Sequence, residues 1–352
     1  MAASGFTPAA AAALRSPDGG AAFLDAAKVR SLLPFPALLS HLEAALPPSA
    51  ISVTAPLRQS FPVDPSSSAS LLLMPAWSSG GAAASSGAPP YIGVKLVTSF
   101  PGNSSRGLPG VHAAYVLFDS ATGAALAAMD GTQLTVLRTA AISALAAKFL
   151  ARENSQVLLM VGSGELAPHL VRAHLLVRPG IRRCIIWNRA AERSRRLVEA
   201  LREEAALHGV EFTVAAELNQ EVLGVADVIS CATSSPEPLV MGRFLRKGAH
   251  LDLVGSFSPS MRECDDEALT RGRVFVDSVA ALEEAGELVG AFKRGVMAAG
   301  DVAGTLTELV SGGVEGRRTE EEVTVFKSVG SAVVDLLAAQ LAYETYLEGG
   351  AR

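Results

Sequence analysis

From Val157 onward, short runs that are apolar throughout alternate with stretches whose apolar residues recur at helical spacing. The continuous runs Val157–Val161, Cys184–Trp187, Phe212–Ala215, Asp227–Cys231, His250–Val254 and Val274–Asp277 read as strands buried on both faces. The gaps hold helices, Ala190–His208 among them. Strand alternating with helix predicts an α/β fold, a Rossmann-type doubly wound parallel sheet. Before this region the pattern is different. Phe23-Leu-Asp reads as a short strand leading into a helical turn, and a helix over Pro36–Ala45 is expected to stop at Pro47-Pro48. Short β-type runs follow at Ile51–Ser60, Leu71–Ala76, Tyr91–Phe100 and Ala113–Asp119, which predicts an antiparallel meander. The Ser-, Gly- and Ala-rich stretch from Ser78 to Pro90 has nothing to bury and reads as a hairpin loop. One long helix is expected over Thr132–Arg152 and a last one over Thr324–Leu347, whose apolar surface calls for a partner domain or subunit.

Composition narrows the function classes. The chain has 352 residues and a formal net charge of −5, so no basic surplus invites nucleic acid or an anionic membrane. Three scattered cysteines, Cys184, Cys231 and Cys264, make no disulfide framework and point to a reducing compartment. The longest apolar run, Thr139–Leu150, is broken by Lys148, so no membrane span is expected. The alanine-rich start, Met1–Ser16, fits a plastid transit peptide and a plain low-complexity tail equally, which leaves plastid and cytoplasm both open.

Chemistry concentrates in two places. Gly162-Ser-Gly164-Glu165-Leu166-Ala167 follows an apolar strand and opens a helix. Gly162 permits the tight turn, Gly164 lets a pyrophosphate approach the backbone, and the helix N-terminus offers free N–H groups. The next strand ends in Trp187-Asn188-Arg189, with Arg193 beyond, instead of the acid that accepts from an NAD ribose. A guanidinium suits a 2′-phosphate, which favours NADPH over NADH. Arg195 and Arg196 read as a solvated helix face. The ends of later strands, with Thr233, Val254 and Ser256, belong to the edge of the sheet where such ligands bind.

The second place is a pair of cations in apolar elements. Lys95 interrupts the strand Tyr91–Ser99, and the nine residues after Arg138 carry no charge. Each needs an anion or a route to water. Lys95 on an edge strand and Arg138 in an internal salt bridge would satisfy this. So would a shared cleft holding a substrate carboxylate, with Arg58 as a third cation. The six histidines show no metal-ligand spacing, and no metal is expected.

Gly93-Val-Lys95, Asp130-Gly-Thr, Arg138-Thr-Ala-Ala-Ile-Ser143, Gly162-Ser-Gly164, Trp187-Asn-Arg189 and Val325-Phe-Lys327-Ser-Val-Gly330 together resemble the ornithine cyclodeaminase/μ-crystallin family. The resemblance spans about Phe23 to the final helix. It implies a Rossmann domain, 136–311, inserted into an α+β dimerisation and substrate domain built from 21–135 and 312–352, with 1–20 as a tail, and a homodimer. It also implies that Lys95 and Arg138 are catalytic, and that Arg58, Lys95 and Arg138 bind the substrate carboxylate. Cofactor contacts implied are Arg138, Thr139, Gly162, Gly164, Glu165, Leu166, Ala167, Asn188, Arg189, Arg193, Thr233, Val254 and Ser256. Cyclodeaminases of the family carry a catalytic aspartate where this chain has Phe257. The resemblance is therefore to its ketimine reductases, in particular the pipecolate-forming ones of plants, and implies NADPH-dependent reduction of dehydropipecolate. The alternatives are an NAD-dependent ornithine cyclodeaminase and a non-catalytic NADPH-dependent protein that binds a small ligand.

Overall fold

Wholly apolar strands can be buried on both faces only in the middle of a covered sheet, and alternating strands only at its surface; the chain uses both solutions. The computed structural model describes residues 20–64, 69–78 and 91–350. The expected tail and most of the expected hairpin loop lie outside the described residues. Two units are formed: one by the chain up to Arg138 and from Ala332 onward, the other by Thr139–Ser331.

The first unit holds β1 (Ala22–Leu24), α1 (Ala26–Leu32), α2 (Phe35–Ser52), β2 (Val53–Thr54), β3 (Gln59–Pro62), β4 (Ser70–Ser78), β5 (Tyr91–Ser99), β6 (Val111–Asp119) and β7 (Ala125–Asp130). The sheet runs β1-β7-β6-β5-β4-β2, with β3 also on β4. It is antiparallel apart from β1 beside β7. β7 escapes a pattern reading because Ala125-Leu-Ala-Ala-Met-Asp is poor in β-branched residues. Pairing on both sides makes it a strand, with Leu126, Ala127 and Met129 buried. α2 also departs from expectation, running through Pro47-Pro48 to Ser52. The hydroxyls of Ser49 and Ser52 donate to the carbonyls of Leu46 and Pro48 at 2.6 and 2.7 Å, and the buried Leu46 and Ser49 anchor the turn the prolines would break.

The C-terminal helix, Ala332–Gly350, lies against α2, β4 and β5. Its apolar residues, including Leu336, Leu337, Ala339 and Tyr343, are buried inside this unit. The apolarity that predicts packing on another domain or subunit is thus used within the first unit itself. It also begins later than expected, because Val323–Lys327 is a strand.

That strand, β15, belongs to the second unit with β8 (Val157–Val161), β9 (Arg183–Trp187), β10 (Glu211–Val214), β11 (Val228–Cys231), β12 (His250–Leu253), β13 (Gly272–Val276) and β14 (Gly304–Thr305). All eight are parallel, in the order β10-β9-β8-β11-β12-β15-β13-β14. An apolar run as short as Val-Thr-Val-Phe-Lys fits a buried helix or a central strand equally well, and here pairing with β12 and β13 decides it. The boundary of the nucleotide-type unit consequently falls at Ser331, not near 311. Its helices include α4 (Ala167–Val177), α5 (Ala191–Arg202) and α6 (Gly286–Lys293).

The chain passes from the first unit to the second within α3 (Gly131–Leu150). By length and composition this helix could cross a membrane, but most of it is buried within the fold. A helix apolar all round is a core helix when protein covers it, and Ala140, Ala141, Ala144 and Leu145 are fully enclosed.

Candidate functional site

Lys95 stands in the middle of β5, between β4 and β6, opposite Met74 and Tyr115. It is not on an edge strand. Alternation along β5 turns Tyr91, Gly93 and Lys95 to the covered face, and Lys95 is only 2% exposed. Arg138 comes two turns into α3, whose start is fixed by the Asp130-Gly-Thr sequence. Asp130 accepts from the Gln133 N–H at 2.7 Å, Thr132 accepts from the Ala113 N–H at 3.0 Å, and a Cβ on Gly131 would run into the backbone of β6.

The partner of both cations is Asp335, in the first turn of the C-terminal helix. Lys95 Nζ lies 2.8 Å from its Oδ2 and Arg138 Nε 2.8 Å from its Oδ1, with all three side chains buried. Burial pushes the Asp335 carboxyl up, but Arg138 and Lys95 outweigh it and hold the group below the usual carboxylate range. Burial, then Arg138, push Lys95 down to about 8 against the pull of Asp335, and Arg58 adds to the lowering. Two cations on one carboxylate leave one positive charge in excess within the trio. Among the described residues Arg138 Nη1 also has no hydrogen-bond partner, and neither does the buried Tyr115 hydroxyl. Burial and then Asp335 raise the Tyr115 pKa, so it keeps its proton. Gly93 gives that phenol its space, since a Cβ there would stand 1.9 Å from the hydroxyl oxygen.

Of the three expected carboxylate binders, Lys95 and Arg138 are brought together on Asp335. Arg58, half-buried before β3, stands near enough to Lys95 to act on its charge. Asp335 was missed. Its signal is a lone acid in Ala332-Val-Val-Asp335-Leu-Leu-Ala-Ala, the counterpart of two lone cations in equally apolar elements.

In the second unit the turn after β8 has the form its sequence implies. Gly162 has φ +111° and lies so close to β11's end that a Cβ would be 2.5 Å from the Ala232 carbonyl oxygen. Gly164 is open, with no atom within 4 Å of a Cβ built on it. Glu165 is exposed, Leu166 half-buried and Ala167 fully buried at the start of α4, whose first turn holds no acid. A dinucleotide phosphate fits this place through the open backbone at Gly164 and the positive end of an eleven-residue helix. The helix's own first N–H groups are not free as expected: the Ala167 N–H donates to the Gly164 carbonyl at 3.1 Å, the His169 N–H to the Leu166 carbonyl at 3.1 Å, and Pro168 has no N–H.

At the end of β9, Asn188 is half-buried and its amide donates to the Ala190 carbonyl at 3.3 Å. Arg189 and Arg193 are exposed, and neither forms an ion pair among the described residues. Arg195 and Arg196 instead pair with Glu192 on the exposed face of α5. Thr139 and Val254 are buried, and Thr233 is half-buried just past β11. Ser256 is fully buried with its hydroxyl donating to the Met261 carbonyl at 2.9 Å, so that side chain already has a structural task. Phe257 beside it is 38% exposed. Cys231 is enclosed, and burial keeps its thiol well above its ordinary pKa, hence neutral.

Comparison with known proteins gives a consistent picture. The model of the ornithine cyclodeaminase/mu-crystallin family matches residues 21–350. Protein SAR DEFICIENT 4 of Arabidopsis thaliana is 52% identical over 325 residues, covering 92% of this chain and 97% of the relative. A Delta(1)-pyrroline-2-carboxylate reductase of Paracoccus denitrificans is 41% identical over 249 residues, covering 70% of this chain and 77% of its own. Among solved structures, the Thermococcus litoralis Delta(1)-pyrroline-2-carboxylate reductase with NADH and L-proline superposes with TM-score 0.85 at 31% identity, covering 94% of this chain and 98% of that one.

Proposed function

The chain belongs to the ornithine cyclodeaminase/mu-crystallin family and is a nicotinamide-dependent oxidoreductase acting on a C=N bond, and we propose that it reduces a cyclic ketimine carboxylate, dehydropipecolate, to pipecolate with NADPH. The observation that carries this reading is the trio Lys95–Asp335–Arg138. It holds one positive charge in excess, and Arg138 Nη1 has no partner among the described residues. A substrate carboxylate supplies both the missing charge and the missing acceptor, with Arg58 as a further cation.

Binding by the carboxylate orients the ring, which makes the catalysis largely positional. When bound, the reduced nicotinamide supplies the hydride. An iminium accepts it better than a neutral imine, so the imine nitrogen needs a proton. Lys95, with its pKa pushed down to about 8, carries one at neutral pH and can part with it more easily than an ordinary lysine. Asp335 keeps the ammonium in place while the substrate carboxylate offsets the second cation. Cofactor contact is assigned to Gly162, Gly164 and the start of α4, with Asn188, Arg189 and Arg193 toward a 2′-phosphate. Phe257 can neither take a proton from an amine nor position water, which weighs against the release of ammonia from ornithine. A homodimer is part of the proposal, supported by exposed Phe61, Leu96 and Val111 on the first unit.

The test is the oxidation of NADPH and of NADH with five- and six-membered cyclic imine carboxylates. The six-membered ring with NADPH is expected to be turned over fastest. No oxidation of either dinucleotide with either ring, or ammonia released from ornithine, overturns the proposal. For the cofactor half, Arg189→Ala is expected to raise KM for NADPH about tenfold and leave that for NADH unchanged, as loss of a charge-assisted contact to a phosphate would. Equal effects on both dinucleotides would take Arg189 out of that role.

A further inference from the structure

Just past β11 and β12 stand Thr233 and Gly255, and both are held by one buried carboxylate that the proposed reaction does not use. Glu263 is fully buried on the segment between β12 and α6. One of its oxygens accepts from the Thr233 N–H at 2.6 Å and from the Thr233 hydroxyl at 2.8 Å. The other accepts from the Gly255 N–H at 2.8 Å. The two loops meet so closely that a Cβ on Gly255 would stand 2.0 Å from the Thr233 carbonyl oxygen. The carboxylate is therefore the common anchor of both.

Its own backbone is fixed as firmly. The Glu263 N–H donates to Glu287 Oε1 at 2.7 Å, and its carbonyl accepts from the N–H groups of Leu239 and Val240, each at 2.9 Å. The charged and titratable groups around it come from every neighbouring element. Lys327, at the end of β15, lies 3.3 Å from Glu287 Oε2, and Glu287 stands at the start of α6. Cys231 and Cys264 face it with thiols that burial keeps neutral. Two buried acids thus share one lysine. Such an arrangement is costly compared with apolar packing of the same volume.

What the carboxylate offers is acceptor capacity on both oxygens at once. A protonated carboxyl group turns one oxygen into a donor and can no longer serve both loops equally. We propose that Glu263 is a positioning residue for the dinucleotide, setting its affinity by tying the loops at Thr233 and Gly255 together, and doing so only in its ionised form. The inference rests on the reading of these strand ends as part of the dinucleotide site. Burial is the main force pushing the Glu263 carboxyl up, to about 7; Lys327 opposes it, Glu287 adds to it, and the Thr233 donors oppose it. The anchor therefore tightens as pH rises through neutrality and loosens below it.

The experiment measures the affinity of the full-length protein for NADPH and for NADH by cofactor fluorescence between pH 6 and 8.5, with melting temperatures in parallel. The unsubstituted protein is expected to bind more tightly as pH passes through about 7. Glu263→Gln keeps the size but presents an NH2 group to one loop. It should bind about tenfold more weakly at pH 8, the loss of one charge-assisted hydrogen bond, and lose the pH step. Glu287→Gln leaves both loop contacts intact and removes the neighbouring negative charge, so its step should move to lower pH. The titration of the 2′-phosphate is common to all three proteins and cancels in the comparison. A flat profile for the unsubstituted protein, or an unchanged step in Glu263→Gln, overturns the inference alone. If Glu263→Gln does not fold, an unmoved midpoint in Glu287→Gln overturns it. No binding of either dinucleotide at any pH overturns the reading of the site and the inference with it.

Discussion

Asp335→Ala is expected to destabilise the protein by about 3–5 kcal/mol, the cost of leaving buried charge without its partner. Two cations lose their counter-charge at once, since Lys95 and Arg138 both lie 2.8 Å from this carboxylate. Alanine also leaves no group to replace it, because the surrounding helix offers only Val333, Val334, Leu336 and Leu337. Urea denaturation of the two proteins measures the difference, and an unchanged midpoint would show that the cations draw their compensation from elsewhere. The contribution has a defined pH window. Asp335 is held below its ordinary value of 3.8, so its stabilisation is fully present above that pH and is lost as acid protonates it. The gap between the two proteins should therefore close on acidification below about pH 4.

The second large effect concerns turnover. Lys95→Ala is expected to lower kcat by about 10²- to 10⁴-fold, the range for removing a positioned proton donor. Arg138 still has Asp335, so the fold should suffer less than in Asp335→Ala. Lys95→Arg separates charge from proton transfer. A guanidinium keeps the positive charge but does not release a proton in this pH range, so it should recover carboxylate binding in KM without recovering kcat. In the unsubstituted protein kcat/KM for the imine should fall as pH rises through about 8, where Lys95 loses its proton. Full turnover by Lys95→Ala would remove it from the mechanism.

How far the sequence reveals these features depends on whether a signal is local. The turn Gly162-Ser-Gly164 is legible because each glycine answers a local need: a positive φ against β11 at one, open backbone at the other. Lys95 and Arg138 are legible as misfits, charges inside apolar elements. Their partner is not, because Asp335 lies 240 residues beyond Lys95 and 197 beyond Arg138, and only packing of the C-terminal helix on β5 brings it near. The same holds for β15. Its five residues look alike as strand or helix until β12 and β13 stand on either side. Glu263 gives no sign at all in Met261-Arg-Glu-Cys, since its role consists of backbone N–H groups supplied by two other loops. The alanines of β7 mislead for the converse reason, with weak intrinsic preference overridden by pairing.

β15 has one more consequence, for synthesis on the ribosome. It is the last strand of its sheet to be made, yet it is inserted between β12 and β13, strands that left the tunnel long before. The β13-β14 pair thus has to wait, unjoined to the rest, until about residue 327 has emerged. The first unit waits still longer, because Asp335 and the helix that covers β4 and β5 are made after β15. Until then Lys95 and Arg138 have no counter-ion from this helix. A nascent chain of this protein is expected to expose unpaired sheet edges until residues 323–350 have emerged, so its yield in cells should depend on chaperones more than its finished stability would indicate.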